Sequence, residues 1–344
     1  MESFDAQMRL YDYALPPELI AKAPAHPRDS ARLLVYDRKK KSVLLDTFAH
    51  ITDHLPQNAV LVLNETRVIP ARMELTKATG GIVRALYLEG TDTAIRTMAE
   101  GKIQAGDVLQ WEGDHSFTVL AREGKEAVLQ PSFPLSQLME LLQQYGHTPL
   151  PPYMKDSPLT EAERRTEYQT VFAHTPGSVA APTAGLHFTE ELLERIRKKG
   201  IAIATVTLHV NLGTFAPLTE THWREQRLHQ EHYTISPETA AMLNGAKRES
   251  RPIIAVGTTV VRTLESAAQN GVLAKLSGIT DLFLSEDHPP RFVDGLVTNF
   301  HVPQSSLLML VAGLTGRETL MQLYARAIAE RMRFFSFGDG MLIL

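Results

Sequence analysis

The stretch Gly177-Ser178-Val179-Ala180-Ala181-Pro182-Thr183-Ala184-Gly185-Leu186-His187-Phe188-Thr189 decides how the rest of the chain is read. Small residues dominate it, and it carries no long charged side chain. Pro182 and Gly185 exclude a regular helix or a central strand. The pattern then changes. Thr189 suits an N-cap, Glu190 and Glu191 a first turn, and Leu192, Leu193 and Ile196 mark one apolar face. Arg197 to Lys199 suit the last turn and Gly200 the position after it. A β-rich run, 201–210, follows. A small-residue loop therefore feeds a helix start, where free N–H groups favour an anion. A tight packing corner explains the same residues equally well.

On both sides of this stretch the chain alternates strands with helices. Val60 to Leu63 reads as a buried strand running into Asn64-Glu65-Thr66-Arg67 and Val68 to Arg72. Polar residues at such a strand end are site candidates and also ordinary turn formers. Pro252 to Val256 is another strand. It is followed by Gly257-Thr258-Thr259 and a helix carrying Val260, Val261, Leu264, Ala267 and Ala268. Strand, Gly-Thr-Thr, helix is an anion- or nucleotide-binding geometry, although it is neither a dinucleotide fingerprint nor a phosphate loop. Arg262 and Glu265, three apart on that helix, form either a surface bridge or part of a site. Asp281 to Leu284 and Asp294 to Asn299 read as further strands.

Between 72 and 130 the texture differs. Short β-type runs alternate with turns at Thr79-Gly80-Gly81, Glu112-Gly113-Asp114 and Glu123-Gly124-Lys125, which predicts a small antiparallel barrel or sandwich. A helix around Leu138, Leu141 and Leu142 follows, and Pro149, Pro151 and Pro152 then make a stiff linker.

 The expected architecture is thus an α/β main domain, a mixed sheet with helices, over 1–66 and 150–344, with a small antiparallel β-barrel domain inserted at 67–149. No repeat of 20 to 50 residues is evident.

Composition bounds the function. The 344 residues hold 35 Lys and Arg against 39 Asp and Glu, a net charge of −4, which argues against sequence-blind nucleic-acid binding but not against a local basic face. Zero cysteines exclude disulfides, Cys-ligated zinc, iron–sulfur clusters and a thiol nucleophile. No signal peptide or membrane-spanning run is read, so the expected compartment is the cytoplasm.

Single residues stand out. Arg28 and Arg32 flank Asp29 as an anion clamp or a local ion-pair network. His209 at a strand end suits a general acid or base, or a satisfied structural group. His222, His229 and His232 tempt a metal reading, but their spacing is wrong for one, and no metal is expected. Asp339 lies between two glycines, where backbone can approach a ligand closely.

Seven blocks resemble, in the right order, the S-adenosylmethionine:tRNA ribosyltransferase-isomerase family of queuosine biosynthesis. They are Gly177 to Thr189; Asn64 to Arg72; Leu208-His209-Val210; Gly213-Thr214-Phe215; Ala255 to Ser266; Asp294-Gly295-Leu296-Val297-Thr298-Asn299-Phe300-His301; and Arg333-Phe334-Phe335-Ser336. The resemblance runs from about residue 9 to 344 and implies the same two-part architecture. It also implies a reaction: the ribosyl part of S-adenosylmethionine is transferred and isomerised onto a 7-aminomethyl-7-deazaguanine at the tRNA wobble position. Epoxyqueuosine-tRNA, adenine and methionine result. S-adenosylmethionine is consumed as a ribosyl donor, a queuosine-type tRNA is the partner, and a monomer is expected.

That chemistry tells which side chains to seek. A base must remove a C5′ proton beside the sulfonium, and departing adenine needs a proton or hydrogen bond. His187, His209, His301 and Asp339 are the candidates. For the donor, Arg28, Thr183, Gly185, Gly257, Thr258, Thr259, Arg262 and Glu265 are candidates, with the carboxylate on an Arg or a helix N-terminus. Asn64, Arg67, Arg72 and Arg333 are candidates for RNA contacts. The sequence departs from the family at Ser285-Glu286-Asp287-His288-Pro289-Pro290, at Asn211 and at Gly340, and the first change is expected in a substrate-facing loop. Two other readings compete. A diverged paralogue using the Gly257 loop as a nucleotide-dependent enzyme on a small molecule predicts turnover without RNA. A non-catalytic RNA-binding module predicts tRNA binding without donor consumption.

Overall fold

Val60–Asn64 is apolar on both faces because both faces are covered. Val60 and Val62 pack into one core, and Leu61 and Leu63 into another on the opposite side of the sheet. Each such side chain contributes roughly 1.5–3 kcal/mol by leaving water. In this computed structural model, which describes residues 3–211 and 218–344, that strand lies inside a nine-stranded sheet. The order is Ser277–Leu282, Arg227–Thr234, Ala202–Leu208, Val60–Asn64, Ile253–Val256, Gly295–Asn299, Gly340–Ile343, Arg32–Asp37 and Ser42–Thr47.

Ala202–Leu208, Val60–Asn64, Ile253–Val256 and Gly295–Asn299 run parallel. Gly340–Ile343 runs against its neighbour Gly295–Asn299, so Gly340 pairs with Asn299. Arg32–Asp37 runs with Gly340–Ile343, and Leu33 pairs with Gly340. The carboxyl ends of the four parallel strands and the start of two others therefore share one edge of the sheet. Direction reverses at this edge, where open α/β sheets bind ligands.

The expected mixed sheet with helices is present, and so is the inserted barrel. Six antiparallel strands close in the order Glu126–Pro131, Ile95–Glu100, Ile82–Gly90, Arg72–Lys77, Val108–Gln110 and Ser116–Glu123. Its core takes residues from Ile69 to Leu142, with Trp111 and Phe117 inside, and Val179 of the small-residue loop packs into it.

Local signals read from sequence govern the helices. Thr189 accepts from Leu192 N–H at 3.1 Å, and Leu192, Leu193 and Ile196 are the buried face of helix Glu190–Lys198. Thr160 and Glu163 form a capping box on Glu161–Glu167. Near the N-terminus Leu15-Pro16-Pro17 opens no more than a single 3-10 turn, Pro17–Leu19. A short helix not anticipated at all, Phe4–Arg9, precedes it.

Candidate active site

At the shared edge lies a cleft of about 680 Å³. That is large enough for a nucleoside-sized ligand. Its floor comes from the strand ends, its sides from loops and its rim from the N-terminal segment.

One side is the Gly257 turn. Gly257 holds φ at +90°, a value few side chains tolerate, and caps helix Thr258–Ala267 without a side-chain hydrogen bond. The cleft reaches Gly257, Thr258 and Thr259. A second helix, Ser306–Thr315, also starts at the cleft, with Ser305 as its cap. Both starts point partial positive charge inward.

The small-residue loop divides its duties. Ala181 to Ala184 line the cleft. Thr183 donates its hydroxyl to Asn299 Oδ1 at 2.9 Å. Beyond Ala184 the loop is the packing corner. A Cβ on Gly185 would meet Phe172 at 2.7 Å and Thr170 at 2.9 Å, so Gly185 serves packing and does not reach the cleft. The helix start at Thr189, expected to receive an anion, is likewise absent from the cleft lining.

The histidines separate clearly. His187 is buried beneath the cleft, its ring stacked on Phe48 at 4.6 Å and its Nε2 3.2 Å from Asn299 Nδ2. Burial, together with the Arg333 and Arg28 charges, pulls its pKa down to about 3. It is therefore a neutral acceptor that orients Asn299. His209 contacts Thr66 Oγ1 through Nδ1 at 2.8 Å, and burial, then His232, lowers its pKa. His301 alone of the three lines the cleft. Its Nε2 lies 3.1 Å from Thr298 Oγ1, while its Nδ1 has no hydrogen-bond partner. Two tyrosines fix its backbone: Tyr13 OH donates to its carbonyl, and its N–H donates to Tyr324 OH at 2.8 Å. Burial lowers its pKa to about 4.

Several polar candidates are committed elsewhere. Asp339 accepts backbone N–H groups from Arg32 at 3.0 Å and Arg333 at 2.7 Å. A Cβ on Gly338 would lie 2.5 Å from Phe334 C, so the close approach there is made by the chain's own backbone. Arg28 donates to Gln169 O at 2.6 Å and Thr166 O at 2.9 Å and pairs with Glu167. Asp29 faces Arg195, so no clamp forms between Arg28 and Arg32. Arg262 is buried against Glu231 rather than Glu265. Glu265 accepts the N–H groups of Arg291, Phe292 and Val293, and burial raises its pKa. Asn64 uses its amide to tie Leu208 and Thr66 together and reaches Thr259 Oγ1 at 3.3 Å.

Arg67 is exposed. Arg72 reaches Leu150 O at 3.4 Å, and Arg333 lies 3.5 Å from Asp339. Among the described residues no three acidic or imidazole groups are arranged to hold a metal. Gly213-Thr214-Phe215 falls outside the described residues. The divergent 285–290 segment is absent from the cleft lining. Its Glu286 instead accepts from Arg317 N–H at 2.7 Å and Tyr11 OH at 3.3 Å, bracing the N-terminal segment.

Reading by motif missed Tyr153, Phe335 and the wall Phe4, Asp5, Met8, Arg9 and Asp12, all of which line the cleft. Phe335 holds φ at +71°, and its ring meets Tyr153 at 4.7 Å. Nothing in the sequence marks that backbone state in a phenylalanine.

A family model described as queuosine biosynthesis protein matches residues 8–343. The chain belongs to this family. The S-adenosylmethionine:tRNA ribosyltransferase-isomerase of Carboxydothermus hydrogenoformans is 42% identical, covering 98% of this chain and 100% of that one. The protein of the same name from Syntrophotalea carbinolica is 44% identical over 98% of this chain and 100% of its own. A crystal structure of S-adenosylmethionine tRNA ribosyltransferase from Thermotoga maritima aligns with a TM-score of 0.57 at 34% identity, covering 97% of this chain and 100% of that one. Family likeness therefore spans the sheet, the barrel and every strand end that forms the cleft. No helix among the described residues is long and apolar enough to cross a membrane.

Proposed function

We propose that this chain transfers and isomerises the ribosyl moiety of S-adenosylmethionine onto 7-aminomethyl-7-deazaguanine at the wobble position of a queuosine-type tRNA. Epoxyqueuosine-tRNA, adenine and methionine are the products. The observation that carries the reading is the cleft itself: a nucleoside-sized volume at the sheet's switch edge, with two uncapped or lightly capped helix starts and one imidazole at its wall, in a chain of this family.

His301 is the proposed base. With Nε2–H donated to Thr298, its Nδ1 is buried and has no hydrogen-bond partner, and a turn of the ring toward the bound donor would let that nitrogen take the C5′ proton beside the sulfonium. Thr183, Asn299 and the Gly257-Thr258-Thr259 turn are proposed to hold the adenosyl part, and a hydrogen bond from one of them would assist adenine departure. Tyr153, Phe300 and Phe335 supply apolar walls that limit water around the open sugar. His187, His209, Asp339, Arg28, Arg262, Glu265, Gly185 and Asn64 act in positioning rather than contact, because none of them lines the cleft. Exposed Arg67 is kept as a phosphate contact, with Arg72 and Arg333 behind it.

Residues 67–149 are proposed to form a domain of their own, which their separate apolar core supports. The reaction is placed in the cytoplasm, with the enzyme acting as a monomer and without a metal. Mass spectrometry of a mixture of protein, S-adenosylmethionine and a tRNA carrying the aminomethyl-deazaguanine tests the reading. Adenine, methionine and the epoxyqueuosine nucleoside should appear together. Donor consumption without RNA would favour the small-molecule reading, and tRNA binding with the donor untouched would favour the binding module.

A further inference from the structure

Among the described residues, the Asp, Glu, Lys and Arg side chains that line the cleft are Asp5, Arg9 and Asp12, and all lie on one N-terminal segment. Phe4, Asp5, Met8, Arg9 and Asp12 follow helical spacing, so one face of this segment forms the wall. The segment is tied down at three points, two of them at the cleft. Gln304 N–H donates to Tyr11 O at 3.0 Å, Tyr13 OH donates to His301 O, and Tyr11 OH reaches Glu286. Among the described residues, the side chains of Asp5 and Arg9 have neither an ion pair nor a hydrogen bond within the protein, although they sit one turn apart. Arg28, Arg262 and Arg333, the cations expected from sequence, do not line the cleft.

The geometry points to this wall as the subsite for the methionyl end of the donor. The inference rests on the reading that S-adenosylmethionine is the donor. A sulfonium, an ammonium and a carboxylate give that molecule one net positive charge. Two carboxylates and one guanidinium give the wall one net negative charge, with both signs available to a zwitterion. Arg9 takes the α-carboxylate, and Asp5 and Asp12 face the ammonium and sulfonium. The remaining walls carry hydroxyl, amide and apolar groups, which suit a neutral adenosine. The wall and His301 line the same cleft, which leaves room for C5′, the atom that joins the two halves, between them.

The test is the affinity of the intact protein for S-adenosylmethionine and for its decarboxylated analogue, measured by calorimetry both without tRNA and with a queuosine-type tRNA that lacks the aminomethyl-deazaguanine. The parent chain should prefer the carboxylated donor by about five- to tenfold, as suits a partly exposed charge pair. In Arg9→Gln that preference should fall to less than about twofold while affinity for the analogue stays within about twofold of the parent. Arg9 is exposed, and circular dichroism should show that the variant folds as the parent does. If Arg9→Gln keeps the full preference, the carboxylate is held elsewhere, such as at the Thr258 helix start, and the subsite is overturned alone. If the parent binds neither molecule, the donor reading falls, and the subsite with it.

Discussion

Asn299 and His187 meet side chain to side chain at 3.2 Å, amide nitrogen to ring Nε2, with the ring buried below the cleft and the amide lining it. The contact fixes which way the amide points, since an accepting Nε2 requires the Nδ2 group opposite it and leaves Oδ1 for Thr183. Asn299→Asp should remove the donor and turn Oδ toward a lone pair. A loss of at least about tenfold in kcat/KM for the donor is expected, with the fold intact. Steady-state kinetics beside a thermal melt checks this.

Acid should weaken the fold through the same histidine. His187 has a folded pKa of about 3, below its unfolded value near 6.5, so the unfolded chain binds the extra proton first. Its contribution is complete above the unfolded pKa and is lost as pH falls from there toward 3. The slope approaches about 1.4 kcal/mol per pH unit for this one group. Urea midpoints from pH 7 to 4.5 should fall in the parent and fall less steeply in His187→Gln, where His301 and His209 still contribute, whatever that variant's absolute stability. Equal slopes in the two proteins would rule the assignment out.

His301→Gln should lower kcat by about a hundredfold or more while donor affinity changes little, as expected for loss of a general base. With a pKa of about 4, the imidazole is already free base across the neutral range. The acidic limb of the kcat profile should therefore lie below pH 5. A limb near pH 6.5 would point to an unburied histidine instead.

Asp339→Asn separates a clamp from a base. The parent carboxylate accepts two backbone N–H groups, from Arg32 and Arg333, inside the core. The amide keeps one good acceptor, so stability should drop by about 1–3 kcal/mol. Folded Asp339→Asn assayed at low temperature should keep turnover within about tenfold of the parent. Abolished turnover at unchanged stability would return Asp339 to the chemistry.

Gly177→Ala should damage the cleft edge indirectly. A Cβ there would lie 2.9 Å from the His209 ring, and the backbone holds φ at +144°. The ring would leave Thr66, and a loss of about 1–3 kcal/mol is expected in denaturant titration.

What the sequence made legible follows from how local its causes are. Val60–Asn64 and Ile253–Val256 were readable because burial on both faces leaves an unbroken apolar run. The Gly257 turn was readable because strand, glycine and helix adjoin. The fates of the charged candidates were not. Arg28 finds its carbonyl partner 141 positions away, and Asp339 finds Arg32 at a separation of 307. An arginine destined for a loop carbonyl and one destined for a ligand look alike until the chain is folded. The N-terminal wall was hidden for another reason: a helix of six residues has too few turns to show a period. The 285–290 segment was expected to face substrate, but Glu286 faces inward on Tyr11 and a helix start.

Gly340–Ile343 sits between Gly295–Asn299 and Arg32–Asp37, an early strand whose inner neighbour is separated from it by most of the chain. On the ribosome, Leu33, Leu34 and Val35 must wait about 300 residues for that neighbour, roughly 15–60 s at ordinary synthesis speed. Throughout that interval the hairpin 32–47 offers an open, apolar strand edge to other nascent chains. Stalled chains ending before residue 340 should therefore remain cut by protease across 32–47 until the final strand is supplied.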